Sequence, residues 1–549
     1  MKLFAKSQAA RSPRPGYVIF AVLIVVVVLS LVAYRFAESM TSEYRAGVRT
    51  AEDAQVKLAA VSGLHYTAAI LADRETFYGD LDGNPFDNPA IFEQFEVPAA
   101  GGTGNEVRRT MFSIRAVALT DDGGSQQRFG VIDEGGKLNI NSLIALDPTG
   151  QVLYNALMKL PDMTAAIADA IVDWVDADDE ARPEGAESSH YLSLPNPIKA
   201  KNGPLNSLDE LLFVKGIDPY LLYGGDTNRN GVQDELEVDN TRGWSDYLTV
   251  YGRELNVDMA GVARVYLNGD DIETMYKQLE LAVGADLATY IVASKVFNPQ
   301  RNTPTTVTGT INGGGNVTLT LTMTGPNAKP TVTASTEQLY AAVQAQVALT
   351  ASSGKRIRST LDLMDTKITL PRAPGTPRDA PDVVAYSPLS SSAGPETLGP
   401  MLALLLDKTT TRQAVEMVPR INVNTAPREV LMGINNPRTG ESILTDTEAD
   451  AIITNRANQL PTDPATATGA WLVGTSTVPA SKFRSLERYV TGSTMVYRVQ
   501  SIGYFSGGGP VARMEAVIDT NQGAPRFLYV RDLSDLDNPR GFEPNAAPK

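Results

Sequence analysis

The sequence predicts an α+β protein: a long N-terminal helix packed on an antiparallel sheet, with a large, mainly helical insertion. Three observations predict it. An uncharged apolar run at residues 17–34 passes without a breaker into an amphipathic stretch that ends near residue 74. Strand-like segments lie on both sides of a long central region, at 106–133 and at 495–534. Within that central region a short strand-plus-helix pattern recurs.

The N-terminal helix comes first. Residues 1–16, "MKLFAKSQAARSPRPG", carry four basic residues and no acid. The following "YVIFAVLIVVVVLSLVAY" has no charge. At roughly 1.5 Å per residue it reaches about 27 Å, enough for a bilayer's hydrocarbon core. The basic leader should stay cytoplasmic, which puts the rest of the chain outside. Beyond Tyr34, apolar residues Met40, Tyr44, Val48, Ala51, Leu58, Val61 and Leu64 recur every three to four positions or a multiple of that. That spacing predicts one continuous helix with an apolar stripe.

The sheet comes next. Segments 106–120 and 128–133 read as a pair around "DDGG" at 121–124, and 495–505 and 511–519 flank the glycine-rich turn "SGGGP". Residues 526–534 could add an edge. Since these pieces flank the central region, the helical modules read as an insertion.

The insertion repeats. "GKLNINSLIAL" (136–146) precedes "AAIADAIVDWVDADDE" (165–180), and "PRINVNTAPREVLMGI" (419–434) precedes "TEADAIITNR" (447–456). A degenerate middle copy reads "GRELNVD" (252–258) followed by "ADLATYIVASK" (285–295). Asn139, Asn141, Asn422 and Asn424 stand where an amide could cap the next helix. Small SAM-like, helix-hairpin modules of this kind can bind DNA, but "DWVDADDE" has the wrong sign for a phosphate backbone. Between the second and third copies, the Thr/Gly-rich stretch 299–335 alternates at "NVTLTLTM", which predicts a hairpin, and 371–397 is a Pro/Ser-rich loop.

Composition narrows the chemistry. The chain has 549 residues, a net charge of −15, no cysteine and two histidines, His65 and His190. Disulfides, thiolate metal sites and cysteine catalysis are excluded. The acidic balance disfavours nucleic acid and suits cations. Neither histidine lies beside a nucleophile motif, and no G-x-S-x-G or phosphate loop is present.

Cation ligands are present. "DTNRNGVQDELE" (226–237) fills every slot of a twelve-residue calcium loop: Asp226, Asn228, Asn230, the Val232 carbonyl, Asp234 and Glu237, with Gly231 at the turn. Residues 209–223 offer an entering helix, whereas 238–248 do not resemble an exiting one. The expectation is a structural Ca2+ site, not a sensor. A second acidic group, Asp173, Asp176, Asp178, Asp179 and Glu187, with Glu184 nearby, crowds carboxylates that a cation would relieve.

The basic leader ending in Gly16, the aromatic Tyr17 and the long helix resemble type IV pilins and pseudopilins. Together with "RFGVIDEGGKLNIN" (128–141), "AIVDWVDADDEARPEGAESSHY" (170–191) and "PLNSLDELLFVKGI" (204–217), the pattern resembles the minor pseudopilin K family of the type II secretion system. Ala21, at the fifth mature position, fits that family, whose members lack the glutamate of their relatives there.

The resemblance implies a type IV pilin-like fold and cleavage by prepilin peptidase between Gly16 and Tyr17. It implies a single-pass anchor in the inner membrane with the globular part in the periplasm. It further implies calcium binding, partnership with the minor pseudopilins I and J, and a non-enzymatic place at the pseudopilus tip that initiates assembly. The predicted organisation is a leader (1–16), the long helix (17–75), a β region (76–141), a first module (142–225), the calcium loop (226–237), a second module (238–298), an insert (299–400), a third module (401–480), C-terminal strands (481–535) and a tail (536–549). A membrane-anchored, calcium-dependent extracytoplasmic hydrolase or adhesin is the alternative.

Overall fold

The computed structural model describes residues 15–536 apart from 82, 99–108, 120–124, 227–228, 230–236, 238–240, 303–306, 312–314, 320–330, 348–354, 373, 457–462 and 522. One helix, Pro15–Ala72, runs for 58 residues. Its first part stands alone, with Tyr17 to Val48 exposed, and this is the segment apolar enough to cross a membrane. The leader residues 1–14 lie outside the described residues.

From Val56 onward the helix packs on an antiparallel sheet. The strand order is Phe95–Glu96, Thr110–Leu119, Val496–Phe505, Ala512–Asp519, Arg526–Asp532. The buried face is Val56, Ala59, Ala60, Gly63, Leu64, Thr67, Ala68 and Leu71, alternating steps of three and one. The predicted stripe differs: Met40, Tyr44, Val48, Ala51 and Leu58 are exposed. Small residues make the contact because the helix lies unusually close to the sheet. A Cβ on Gly503 would sit 2.0 Å from the Val56 carbonyl oxygen, and one on Gly63 would sit 2.2 Å from Ser501 Oγ. Glycine in a helix interior costs about 1 kcal/mol, and here it permits burial of Leu64, Leu71, Phe112, Ile114, Val499 and Ile518 in one core.

The insertion enters and leaves through adjacent strands. Ile132–Asp133 pairs antiparallel with Val496–Phe505, with Asp133 opposite Tyr497. Everything between them is the insert. The sequence pairs 128–133 with 106–120, but that hairpin is formed by Ser125–Arg128 instead, and Ile132–Asp133 crosses to the C-terminal strand.

The insert consists of three modules of one design. Each opens with a two-residue strand and closes with another, paired in parallel: Leu138–Asn139 with Leu248–Thr249, Val265–Tyr266 with Thr409–Thr410, and Ile421–Asn422 with Val490–Thr491. Parallel pairing requires a crossover, which helices supply in every case. Two residues past each opening strand stands an asparagine whose amide reads the closing segment. Asn141 donates to the Leu205 and Val250 carbonyls, Asn268 to those of Ile357 and Thr411, and Asn424 to those of Thr466 and Gly492. Each closing strand ends in threonine, and its hydroxyl donates to the carbonyl two residues on, at Tyr251, Arg412 and Ser493.

These boundaries differ from the predicted 142–225, 238–298, 299–400 and 401–480. The middle copy opens at "VYLNGD", not at "GRELNVD", and it contains the stretch expected as a separate insert. "ELNV" does another job: Glu254–Leu255 pairs antiparallel with Glu416–Met417 and forms the neck of the middle module. Asn256 stays on that neck, donating to the Arg412 and Ala414 carbonyls. In the 299–335 stretch, Val307–Ile311 and Gly315–Leu319 do form an antiparallel pair.

The joint between insert and sheet is a buried charge network. Glu134, fully buried, receives Arg498 Nε at 2.7 Å and Lys137 Nζ at 3.3 Å, and Arg498 also reaches Glu515 at 2.9 Å. Asp133 accepts bonds from Gly135 N, the Asn422 amide and the Thr425 and Thr494 hydroxyls, so it fastens the third module to the first.

Candidate metal centre

The first module gathers three carboxylates. Helix Ala165–Val175 is capped by Thr164, whose hydroxyl accepts the Ile167 amide. Asp169 and Asp173 are one turn apart and so share a face; Asp176 caps the C-terminal end. The loop that follows folds back and delivers Glu187. Asp173, Asp176 and Glu187 place carboxylate oxygens within 4.8 Å of one another. Calcium–oxygen distances of about 2.3–2.6 Å put opposed ligands about 4.6–5.2 Å apart, so the spacing suits one ion.

The loop is held by hydrogen bonds to Asp169 and Asp173, none of which uses Glu187. Arg182 bridges to Asp169 at 2.7 Å, and its backbone amide donates to Asp173. Glu184 N donates to Asp169. Gly185 sits so close that a Cβ there would lie 2.0 Å from Asp173 Oδ2. Glu187 is 2 % exposed, yet among the described residues neither carboxylate oxygen has a hydrogen-bond partner; Asp176 Oδ1 and Ser188 Oγ are also unpartnered there.

Such burial opposes ionisation. Desolvation first, then the neighbouring charges of Asp173, Asp176 and Asp179, push Glu187 up to about 8. Desolvation together with Asp178 and Asp173 raises Asp176 to about 6, and desolvation raises Asp173 as well. An unpaired buried carboxylate is costly. Hard anionic oxygens with unmet lone pairs fit Ca2+ or a similar hard cation.

Asp178 and Asp179 do not join the cluster of three. Both are exposed. Asp178 accepts the Glu180 amide, and Asp179 accepts the Ser188 amide. They lie on the rim and add negative charge. Gly185, Arg182 and Ser188 were missed by the sequence reading; the only hint was the place of the first two in the loop joining Asp176 to Glu187 and of Ser188 directly after it.

The predicted loop at 226–237 is described only in part. Asn228, Asn230, Val232 and Asp234 lie outside the described residues. Its ends are fixed: Gly224 bridges Arg242, and Gly225 N donates to the Thr241 carbonyl at 2.8 Å. Asp226 is half-buried, Arg229 stacks over Tyr223 at 4.0 Å and reaches Glu515 of the sheet, and Glu237 is buried. No long helix enters. A 3-10 turn, Leu208–Phe213, and a short helix, Pro219–Tyr223, are separated at Gly216, whose φ is +84°.

A membrane-type helix laid on an antiparallel sheet, with a helical insert carrying a buried carboxylate cluster, is the pilin-like architecture expected from the sequence. A family model described as "Type II secretion system (T2SS), protein K", first domain, matches residues 136–223, the segment that holds Asp173, Asp176 and Glu187. Residues 136–223 are thus similar to the first domain of type II secretion system protein K. The Type II secretion system protein K of Pectobacterium carotovorum subsp. carotovorum is 35% identical over 68 residues, which is 12% of this chain and 21% of that protein. The chain thus spans about a fifth of the length of that curated relative. Among solved structures, the GspK-GspI-GspJ complex from the enterotoxigenic Escherichia coli Type 2 Secretion System aligns over 90% of this chain and 98% of that one, at 11% identity and a TM-score of 0.33.

Proposed function

We propose that this chain is a minor pseudopilin of the type II secretion system, a non-enzymatic subunit at the tip of the periplasmic pseudopilus that helps initiate its assembly. The observation that supports this reading is the protein K domain at 136–223, inserted in a sheet packed on a helix whose first part is exposed and apolar. A lone apolar helix needs a bilayer or neighbouring apolar helices. The bulky insert suits the end of a stack, not a repeated position. Ala21 lacks the charge with which related subunits pair a neighbour's amino terminus.

In this reading prepilin peptidase cuts between Gly16 and Tyr17, the anchor lies in the inner membrane, and minor pseudopilins I and J are the partners. Asp173, Asp176 and Glu187 would hold Ca2+, with the 226–237 loop a second site. The ion supplies charge neutralisation; the chain's own contribution is to hold the loop 177–187 against the helix. Neither histidine suggests catalysis: His65 packs edge-on against Phe527 at 5.0 Å, and His190 lies against Tyr191.

Mass spectrometry of the protein from its membrane should find Tyr17 at the mature N-terminus. Affinity purification of the full chain should retain the type II minor pseudopilins I and J. An uncleaved chain that captures neither would overturn the proposal.

A further inference from the structure

A cavity of about 100 Å³ lies where the three modules meet, beside the neck of the middle one. Its acids all have cationic partners. Glu134 is held by Lys137 and Arg498, Asp258 and Asp407 by Lys408, and Glu254 by Arg420, whose Nε reaches its two oxygens at 3.0 and 3.1 Å and whose Nη2 also donates to it. Among the described residues, two lining arginines have no carboxylate partner. Arg264 spends only its Nε, on the Asp407 carbonyl, which leaves its two terminal nitrogens uncommitted, and Arg488 makes a ring contact with Tyr489 but no hydrogen bond.

These cations crowd one another. Arg264 is opposed by the charge of Arg420, and Arg412, a further arginine without a side-chain hydrogen bond, is opposed by Arg420 and Arg488. Burial and these like charges hold both Arg264 and Arg412 below the usual range despite nearby acids. In a chain of net charge −15, a partly desolvated cluster with unused planar donors is an unmet demand for an anion.

We propose that this cleft is a binding site for one compact oxyanion, a carboxylate by preference, received by the terminal nitrogens of Arg264 with Arg488 at the mouth. The volume is sufficient for such a group. The anion would fasten the neck, because Arg264 precedes the opening strand of the middle module while Arg488 precedes the closing strand of the third.

The test is isothermal titration of the full chain in detergent with sodium acetate and, separately, sodium sulfate, each against sodium chloride at equal ionic strength. Saturable binding, tighter for acetate, is expected. R264Q should weaken it by about tenfold or more, the usual consequence of losing a charged hydrogen-bond partner. R488Q alters an exposed residue and should weaken it several-fold with the fold intact. Sulfate favoured over acetate would overturn the carboxylate preference. No heat beyond the chloride control, or binding undiminished in both variants, would overturn the site.

Discussion

Two buried acidic sites lie in the first part of the insert, and they are opposites. Glu134 is completely buried beside Arg498 and Lys137. Burial pushes its carboxyl up, but those two cations outweigh it and leave it at about 2. Glu187 is nearly as buried, faces only other acids, and is pushed up to about 8. Burial is common to both, so it does not distinguish them. The difference is whether the chain itself supplies the cation. Where it does, the acid is a structural joint. Where it does not, the acid stays unmatched within the chain.

The largest expected effect breaks the first site. Arg498→Met would leave Glu134 and Glu515 without their shared guanidinium. Removing one partner of a buried pair costs about 3–5 kcal/mol; denaturant unfolding should show a loss of that order, with calcium making no difference to it. The second site should give a smaller, calcium-dependent effect. Calcium at a hundred times its dissociation constant should stabilise the protein by about 2.7 kcal/mol, and Glu187→Gln should abolish most of that gain while raising stability in chelator. If Glu187→Gln unfolds the protein whether or not calcium is present, the carboxylate is a structural group and not a ligand.

The pH slopes should have opposite signs. Glu187 binds its proton more tightly folded than unfolded, so in chelator its contribution is most favourable below about 4.5 and is lost as pH rises towards about 8. Calcium should flatten that slope. Glu134 is depressed, so its contribution is present above about 4.5 and lost as pH falls towards about 2. Unfolding measured between pH 3 and 8 with and without calcium separates the two; a slope near pH 7 that ignores calcium would contradict the comparison. The smallest effect is expected from Asp179→Asn on the exposed rim, where calcium affinity read by titration should change within about twofold.

The sequence showed the acids but not their grouping. It named Asp173, Asp176, Asp178, Asp179 and Glu187 alike, because proximity along the chain was the only measure it offered. The structure keeps Asp173, Asp176 and Glu187 and leaves the other two on the rim, since the fold-back held by Arg182 and Gly185 decides which oxygens converge. The repeat was legible in its first and last copies. The middle one was misplaced because "LNVD" imitates the opening strand, and only pairing with Glu416–Met417 shows it to be the neck.

By itself, then, the sequence determined what depends on local chemistry. A long uncharged run makes a helix able to cross a bilayer, whatever follows it. The absence of cysteine removes a class of sites, and the surplus of carboxylates sets the net charge at −15. The tertiary structure alone decided which face of the helix is buried, where each module closes, and which acid is matched by a base. Those are settled by contacts between residues far apart in the chain, where a glycine at 503 admits the backbone at 56 and an arginine at 498 neutralises a glutamate at 134. Spacing along a sequence carries no record of such distances.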